Sequence, residues 1–383
     1  MSDLGSGFMN EDVEHDGGPP LPRANPALLG HEAAEKELLD TFASGRMAHA
    51  WLISGPRGIG KATLAYRFAR YLLAGAGRPA SDGPGLFGDE LPASDANSLF
   101  IDPGSSVFRR IAGGGHADFL CVERTVNDRG KLRMEIVVDD VRAVGGFFGL
   151  TAAEGGWRVV VIDSADEMNR NAANAVLKVL EEPPAGALML LVCHNPARLL
   201  PTIRSRCRTL NLSSLSDEVV RGLLQQHYPN LPDEDASMLA RLSEGSAGRA
   251  MALAGEGGLD IYQELTGLLE TLPRLDGVRL HDFGGKLAKA GADAEFRTGM
   301  EFLTTWLNRL ICSIASGDGG IIGPVSDAER DLIDRLGKAA PLDRWLQVWE
   351  KINLLLARTD GANLDRKQVV LNVFLTLEDA VRP

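Results

Sequence analysis

The stretch Trp51-Leu52-Ile53-Ser54-Gly55-Pro56-Arg57-Gly58-Ile59-Gly60-Lys61-Ala62-Thr63 narrows what this chain can fold into. A short apolar run feeds a glycine-rich turn, and a lysine opens the helix that follows. Backbone N–H groups in such a turn close around an anion, and the helix N-terminus adds positive partial charge. Gly55 to Lys61 fits Gly-x-x-x-x-Gly-Lys, the pattern of a phosphate-binding loop. Its next position calls for a Ser or Thr hydroxyl to meet Mg²⁺, and Ala62 stands there. Thr63 comes one residue late, about 100° further round the helix. The loop is built for phosphate and poorly equipped for metal. A tight turn that binds nothing is the plain alternative, and the fold is the same either way.

The surroundings are those a phosphate loop requires. Ala50 to Ser54 reads as a buried strand. Lys61 to Leu73 reads as a helix with Leu64, Ala65, Phe68, Ala69, Leu72 and Leu73 on one stripe. Ala117 to Val122, Trp157 to Asp163, Leu188 to Cys193 and a run ending near Leu212 read as further strands, with Met134 to Val138 as another extended piece. Arg158 to Ile162 is almost wholly apolar, as expected of a strand covered on both faces. Gly30 to Ser44, a segment from Val141 capped by Asp139 or Asp140, a segment capped by Asn169, and Ala197 to Ile203 read as helices. Glu181-Glu182-Pro183-Pro184 stops the third of these, because proline cannot continue the ladder. Gly75 to Gly115 lacks periodicity and reads as a loop insertion. The alternation of strands and helices predicts an α/β layer with a mainly parallel sheet.

After Leu212 the pattern turns helical. Asp217 to Gln226, Asp233 to Leu242 and Ala247 to Ala254 predict a small bundle. Longer stripes follow: Phe296, Met300, Leu303, Leu307 and Leu310, then Trp345, Val348, Trp349, Ile352 and Leu355, then Val370, Phe374 and Leu377. These read as core packing, with no catalytic constellation.

Asp163 closes its strand, the place where phosphate-loop proteins hold the metal. Ser164 follows, and a hydroxyl is a poor base at neutral pH. Asp166 and Glu167 lie too far along to take over. The four cysteines, Cys121, Cys193, Cys207 and Cys312, are scattered without a Cys-x-x-Cys pair. Cys121 and Cys193 read as small core residues, and no metal site is expected.

The glycine loop, the Asp163 strand, Asn174-Ala175-Val176-Leu177-Lys178-Val179-Leu180-Glu181-Glu182-Pro183-Pro184 and Ser205-Arg206-Cys207 occur in that order. In this the chain resembles the clamp-loader branch of the AAA+ ATPases, and within it the delta-prime subunits of bacterial DNA polymerase III. The resemblance runs from about Asn25 to the end and is strongest from Trp157 to Cys207. Asn363-Leu364-Asp365-Arg366-Lys367-Gln368 also looks like the collar of that family.

Residues 1–24, rich in Gly, Pro, Asp and Glu, read as a disordered tail, and the resemblance implies an AAA+ α/β domain (25–212), a helical lid (213–258) and a helical collar for oligomerisation (259–383). It implies a subunit that does not hydrolyse ATP but completes a neighbour's site, with Arg206 as an arginine finger in trans. It further implies gamma or tau and delta as partners, and a role in loading the sliding clamp onto primed DNA. Gly55, Gly58, Gly60, Lys61, Thr63 and Asp163 would form a degenerate nucleotide site, with weak ATP or ADP binding or none, and no cofactor required. Arg249 stands where the family has its second sensor arginine; a solvated or capping side chain is the equal alternative. Many members carry a four-cysteine zinc module after the first helix, whereas Gly75 to Gly115 holds no cysteine, so no zinc is expected. Two rival readings are a self-sufficient ATPase of the gamma or tau kind, favoured by Lys61 and Asp163, and a small-molecule kinase.

Totals add exclusions. The formal net charge of −12 argues against a free-standing, non-specific DNA binder. No apolar run approaches the ~20 residues that span a bilayer, and Met1 to Pro22 lacks a basic-then-apolar signal pattern. A cytoplasmic protein is the expectation.

Overall fold

The computed structural model describes residues 19–75, 98–127, 130–154, 156–316, 324–362 and 364–382. They fall into two compact units. The first runs to Val220 and takes in Gly245–Gly248; the second comprises Arg221–Glu244 and the chain from Arg249 onward.

The first unit contains α1 (Glu32–Ala43), β1 (Ala50–Ser54), α2 (Lys61–Leu73), α3 (Ser106–Ala112), β2 (Phe119–Val122) and α4 (Val138–Phe148). These are followed by β3 (Arg158–Ile162), α5 (Arg170–Glu181), β4 (Ala187–Cys193), α6 (Pro201–Arg204) and β5 (Arg208–Asn211). Among the described residues the strands form one sheet, ordered β2-β3-β4-β1-β5, and every pairing is parallel. The expected α/β architecture is borne out. Every residue of β1, β3 and β4 is buried.

The alternation of side chains along a strand sorts the core into two layers. Trp51 and Ile53 of β1 and Val159 and Val161 of β3 meet Leu38 of α1 and Leu64 and Phe68 of α2. Ala50, Leu52, Val160 and Ile162 point the other way, toward Val141 and Val144 of α4 and Val176 and Leu180 of α5. Burying each such aliphatic side chain contributes roughly 1.5–3 kcal/mol. Cys193 is buried and Cys121 is half-buried against the first layer, where its sulfur accepts from the Tyr66 hydroxyl at 3.0 Å.

Several local expectations are corrected. Pro22–Ala24, read into the tail, forms a 3-10 turn, and Arg70 of α2 donates to the carbonyls of Arg23 (3.1 Å) and Asn25 (2.6 Å). Residues 1–18 and 76–97 lie outside the described ones. Within the remainder of the expected insertion, Ser105 caps α3 by accepting from the Phe108 amide, while Phe108 and Ile111 are buried. The helix α4 starts at Val138, not Val141. Asp140 sits inside its first turn and accepts from the Val137 amide at 2.9 Å. The helix expected over 197–203 is broken into a 3-10 turn (Pro196–Arg198) and α6. Pro201 holds Leu200 extended (ψ 134°), which prevents one continuous helix.

The remaining helices are α7 (Asp217–His227), α8 (Asp233–Leu242), α9 (Ala247–Gly255), α10 (Gly258–Glu270), α11 (Gly277–Leu287), α12 (Asp293–Ser316), α13 (Asp327–Ala339), α14 (Leu342–Ala362) and α15 (Arg366–Val381). The second unit holds no strand among its described residues. Its apolar stripes are buried as expected on α12 (Phe296, Met300, Leu303, Leu307 and Leu310) and α15 (Val370, Phe374 and Leu377), whereas on α14 Trp345, Val348 and Ile352 are buried and Trp349 and Leu355 only half-buried. A buried ion pair joins two of these helices, with Arg309 of α12 at 3.2 Å from Glu329 of α13. Glu329 also accepts from the Val325 amide (2.5 Å) and the Tyr262 hydroxyl of α10 (3.2 Å), so its carboxylate is satisfied inside the bundle. No helix among the described residues is long and apolar enough to cross a membrane.

Candidate functional site

In a parallel sheet the carboxyl ends of neighbouring strands lie together, and ligands gather there. Here β1, β4 and β3 are adjacent, so the loops after Ser54, Cys193 and Ile162 share one rim.

After β1 the chain turns through Gly55 (φ 148°), Gly58 (φ 75°) and Gly60 (φ 105°) into α2. Only glycine fits at Gly55, where a Cβ would lie 2.2 Å from the Leu212 carbonyl oxygen. The loop is therefore a glycine-dependent turn that leads directly into a helix N-terminus. Its polar groups, however, are partnered by the protein. Lys61, only 2% exposed, turns back and donates from Nζ to the carbonyls of Gly55 (2.7 Å) and Pro56. His31 Nε2 donates to the Ile59 carbonyl at 2.7 Å, which fixes the proton on that nitrogen. The Gly248 amide donates to the Gly58 carbonyl at 2.8 Å. Burial pulls the Lys61 ammonium down to about 8, against the opposing pull of Asp166, Cys193 and Asp163. Thr63 is buried within the first turn of α2.

After β3, Asp163 donates its amide to the Val122 carbonyl at 2.9 Å. Burial, reinforced by Glu123, pushes its carboxyl above the usual range. Ser164 adopts a left-handed conformation (φ 60°, ψ 52°), a strain of about 1–3 kcal/mol for a residue with a side chain. Its hydroxyl lies 3.1 Å from Nε2 of His194, the first residue after β4. Burial, with the Lys61 charge, lowers His194 to about 4, so the ring is neutral at pH 7. Its Nδ1 is buried without a hydrogen-bond partner. Asp166 then clamps the two strand ends. Its carboxylate accepts from the amides of His194 (2.9 Å) and Asn195 (3.0 Å). Burial alone would raise this carboxyl, but those backbone donors prevail and hold it below its ordinary value.

The structure thus brings Gly55, Gly58, Gly60, Lys61, Thr63 and Asp163 to one end of the sheet. Arg206 lies elsewhere, just past α6 and beside β5. Its side chain is 36% exposed, with Nη1 donating to the Thr202 carbonyl (3.0 Å) and Nη2 at 2.9 Å from Glu181 Oε1. Burial pushes the neighbouring Cys207 thiol up to about 12. Arg249 belongs to the second unit, where it pairs with Glu301 of α12 at 3.3 Å and lies 5.9 Å from the Phe302 ring centre. Sequence reasoning missed His31 and His194, and set Asp166 aside. The position of His194 at the end of a buried strand was the one available signal.

Residues 90–216 match the family model described as DNA polymerase III, delta subunit. The DNA polymerase III subunit delta′ of Pseudomonas aeruginosa PAO1 is 37% identical over 210 residues, covering 55% of this chain and 57% of that protein. The delta′ subunit of Escherichia coli K12 is 33% identical over 221 residues, covering 57% of this chain and 58% of that protein. The resemblance to the delta-prime subunits is borne out. This delta-prime likeness spans less than two thirds of either relative's length. The tau subunit of Escherichia coli K12 is 28% identical over 240 residues, 61% of this chain and 33% of that protein. Among solved structures, a DNA polymerase III gamma subunit-related protein of Thermotoga maritima is 18% identical with a TM-score of 0.42, covering 91% of this chain and 100% of that one.

Proposed function

We propose that this chain is the delta-prime-type subunit of a clamp loader, a AAA+ assembly that opens the sliding clamp and loads it onto primed DNA. In this reading gamma or tau and delta are its ring partners, and the clamp and DNA are engaged by the assembled complex. The chain divides into the α/β domain, lid and collar set out above, works in the cytoplasm as part of a DNA polymerase holoenzyme, and needs neither zinc nor a bound cofactor. It does not hydrolyse ATP. It supplies Arg206 to an ATP site on the adjoining gamma or tau subunit.

The observation that carries this reading is the surface position of the Arg206 guanidinium, whose side chain is partly open to solvent. Its chemical task would be to offset negative charge as the γ-phosphate bond breaks, which a planar fork of donors does better than an ammonium. The state of the chain's own loop supports the division of labour. Ala62 offers no hydroxyl to a metal, Lys61 is engaged with loop carbonyls, and Ser164 stands where active relatives have a carboxylate. Arg249, engaged with Glu301, is then a relic of the sensor, not a phosphate ligand.

The second reading is an ATP-hydrolysing motor of the gamma or tau kind. The retained Lys61 and Asp163 favour it, as does the similarity to tau. Reconstitution with gamma or tau and delta separates the two. Arg206→Ala is expected to leave assembly intact by size-exclusion chromatography and to remove one site's share of DNA-stimulated ATP hydrolysis. Unchanged hydrolysis with normal assembly refutes the finger. Appreciable turnover by the purified chain alone refutes the whole proposal in favour of the motor.

A further inference from the structure

We infer that Glu181 is the positioning residue for Arg206. The inference rests on the finger reading above and deepens it. It joins two stretches far apart in the sequence, Leu180-Glu181-Glu182-Pro183-Pro184 and Ser205-Arg206-Cys207, by a single contact.

The helix α5 ends on Glu181 because Pro183 and Pro184 cannot extend it. That fixes the carboxylate at a defined spot, the last residue of a helix packed on the sheet through Val176 and Leu180. A helix C-terminus carries negative partial charge, so this end does not favour a glutamate. What the carboxylate gains there is Arg206, at 2.9 Å. The second hold on the guanidinium is the Thr202 carbonyl of α6, at 3.0 Å from Nη1. Two partners from two helices therefore set the plane of the fork. Nη1 is hydrogen-bonded and Nη2 ion-paired, and the other N–H donors of the fork remain for a phosphate.

The pair is a poor candidate for structural glue. The side chains are 36% and 52% exposed, and an ion pair that open to solvent adds little to stability. Orientation is the remaining role. A long arginine side chain left free samples many rotamers, and ordering it at the moment of reaction opposes catalysis. Glu181 does that ordering in advance, so the finger meets the neighbour's phosphate already aimed.

The test has two arms on the full chain. In the isolated protein, the labelling rate of Arg206 by phenylglyoxal is read by peptide mass spectrometry. Glu181→Ala is expected to raise it several-fold, with Glu182→Ala and the rate at Arg204 as unchanged controls. In the complex reconstituted with gamma or tau and delta, Glu181→Ala is expected to lower kcat at the Arg206 interface about tenfold with KM for ATP unchanged. Glu181→Asp, which keeps the carboxylate of the ion pair, is expected to restore part of it. Placing Glu181→Ala on Arg206→Ala should add nothing. Unchanged labelling overturns the inference. So does raised labelling with normal kcat when Arg206→Ala alone lowers hydrolysis. If labelling rises but Arg206→Ala leaves hydrolysis unchanged, the finger reading is what fails, and Glu181 orients Arg206 toward some other partner.

Discussion

Asp166→Asn tests the clamp that closes the rim of the sheet. The wild-type carboxylate accepts from two backbone amides, at 2.9 Å and 3.0 Å, across the β3–β4 boundary. An asparagine keeps one acceptor oxygen and turns an N–H group toward the other amide. Hydrogen bonds to a charged acceptor contribute about 1.5–3 kcal/mol each, and a buried donor left unmet costs about 1–3 kcal/mol. Asn195 is exposed, and its amide regains water more readily than that of half-buried His194. The expected loss is therefore about 2–3 kcal/mol, or roughly 1 M in urea midpoint for a slope near 3 kcal/mol/M. The sign with pH follows from the Asp166 carboxyl being held below its ordinary value. The stabilisation is full above the ordinary carboxylate pKa and is lost as pH falls through the lower, folded one. Urea titrations of wild type and variant should therefore differ most at neutral pH and converge toward pH 3. Amide exchange at His194 and Asn195 supplies the local readout. A loss under about 0.5 kcal/mol with both amides still protected would refute the clamp.

Lys61→Met addresses the opposite linkage. Its folded pKa of about 8 lies below the ordinary 10.5, so the unfolded chain binds more protons between those values and wild-type stability rises with pH there. The variant should lack this rise when the two are compared from pH 8 to 10 by chemical denaturation. Glu329→Ala leaves Arg309 buried with half its pairing gone; a loss of about 3–5 kcal/mol is expected in the helical unit, read by exchange protection of α12 and α13. Gly55→Ala sets a Cβ 2.2 Å from the Leu212 oxygen, so the first turn of the loop must shift, and the amide of Leu212, bonded to Ser54 at 2.8 Å, should lose exchange protection.

How far the sequence speaks depends on where the physical signal resides. The ranges read for β1 and α2 coincide with the observed ones, because a both-face apolar run and a 3.6-residue stripe are local patterns with sharp ends. The helix α3 was hidden because glycine and proline around it dominate the composition. Its own evidence is one serine cap and two buried side chains. Pro201 was visible, but its veto on a continuous helix was outweighed by the apolar spacing of Leu199, Leu200 and Ile203. In the site, the glycines and Lys61 were legible as a motif. The partners of Lys61 were not, since nothing local says that an ammonium turns onto carbonyls five and six residues back. Asp166 was dismissed on spacing along one strand, and it acts through the next strand, a relation set by the parallel register.

The same rim shows how polar groups at the strand ends are held within the fold. A hydrolytic site keeps polar groups aimed at substrate, and such groups lack partners within the chain. Here several take a protein partner: Lys61 takes the Gly55 and Pro56 carbonyls, Ser164 takes His194, and the Gly58 carbonyl takes the Gly248 amide, while His194 Nδ1 has none. Ser164 directly follows Asp163, whose carboxyl burial and Glu123 already push upward. A second carboxylate at that spot would raise it further by like-charge repulsion. Ser164→Glu is therefore expected to destabilise the first unit, not to confer hydrolysis, because Ala62 still offers no metal ligand and His194 loses its hydroxyl partner. Urea denaturation and an ATPase assay on the isolated variant decide it. Gained turnover without lost stability would show that the rim has kept its catalytic geometry.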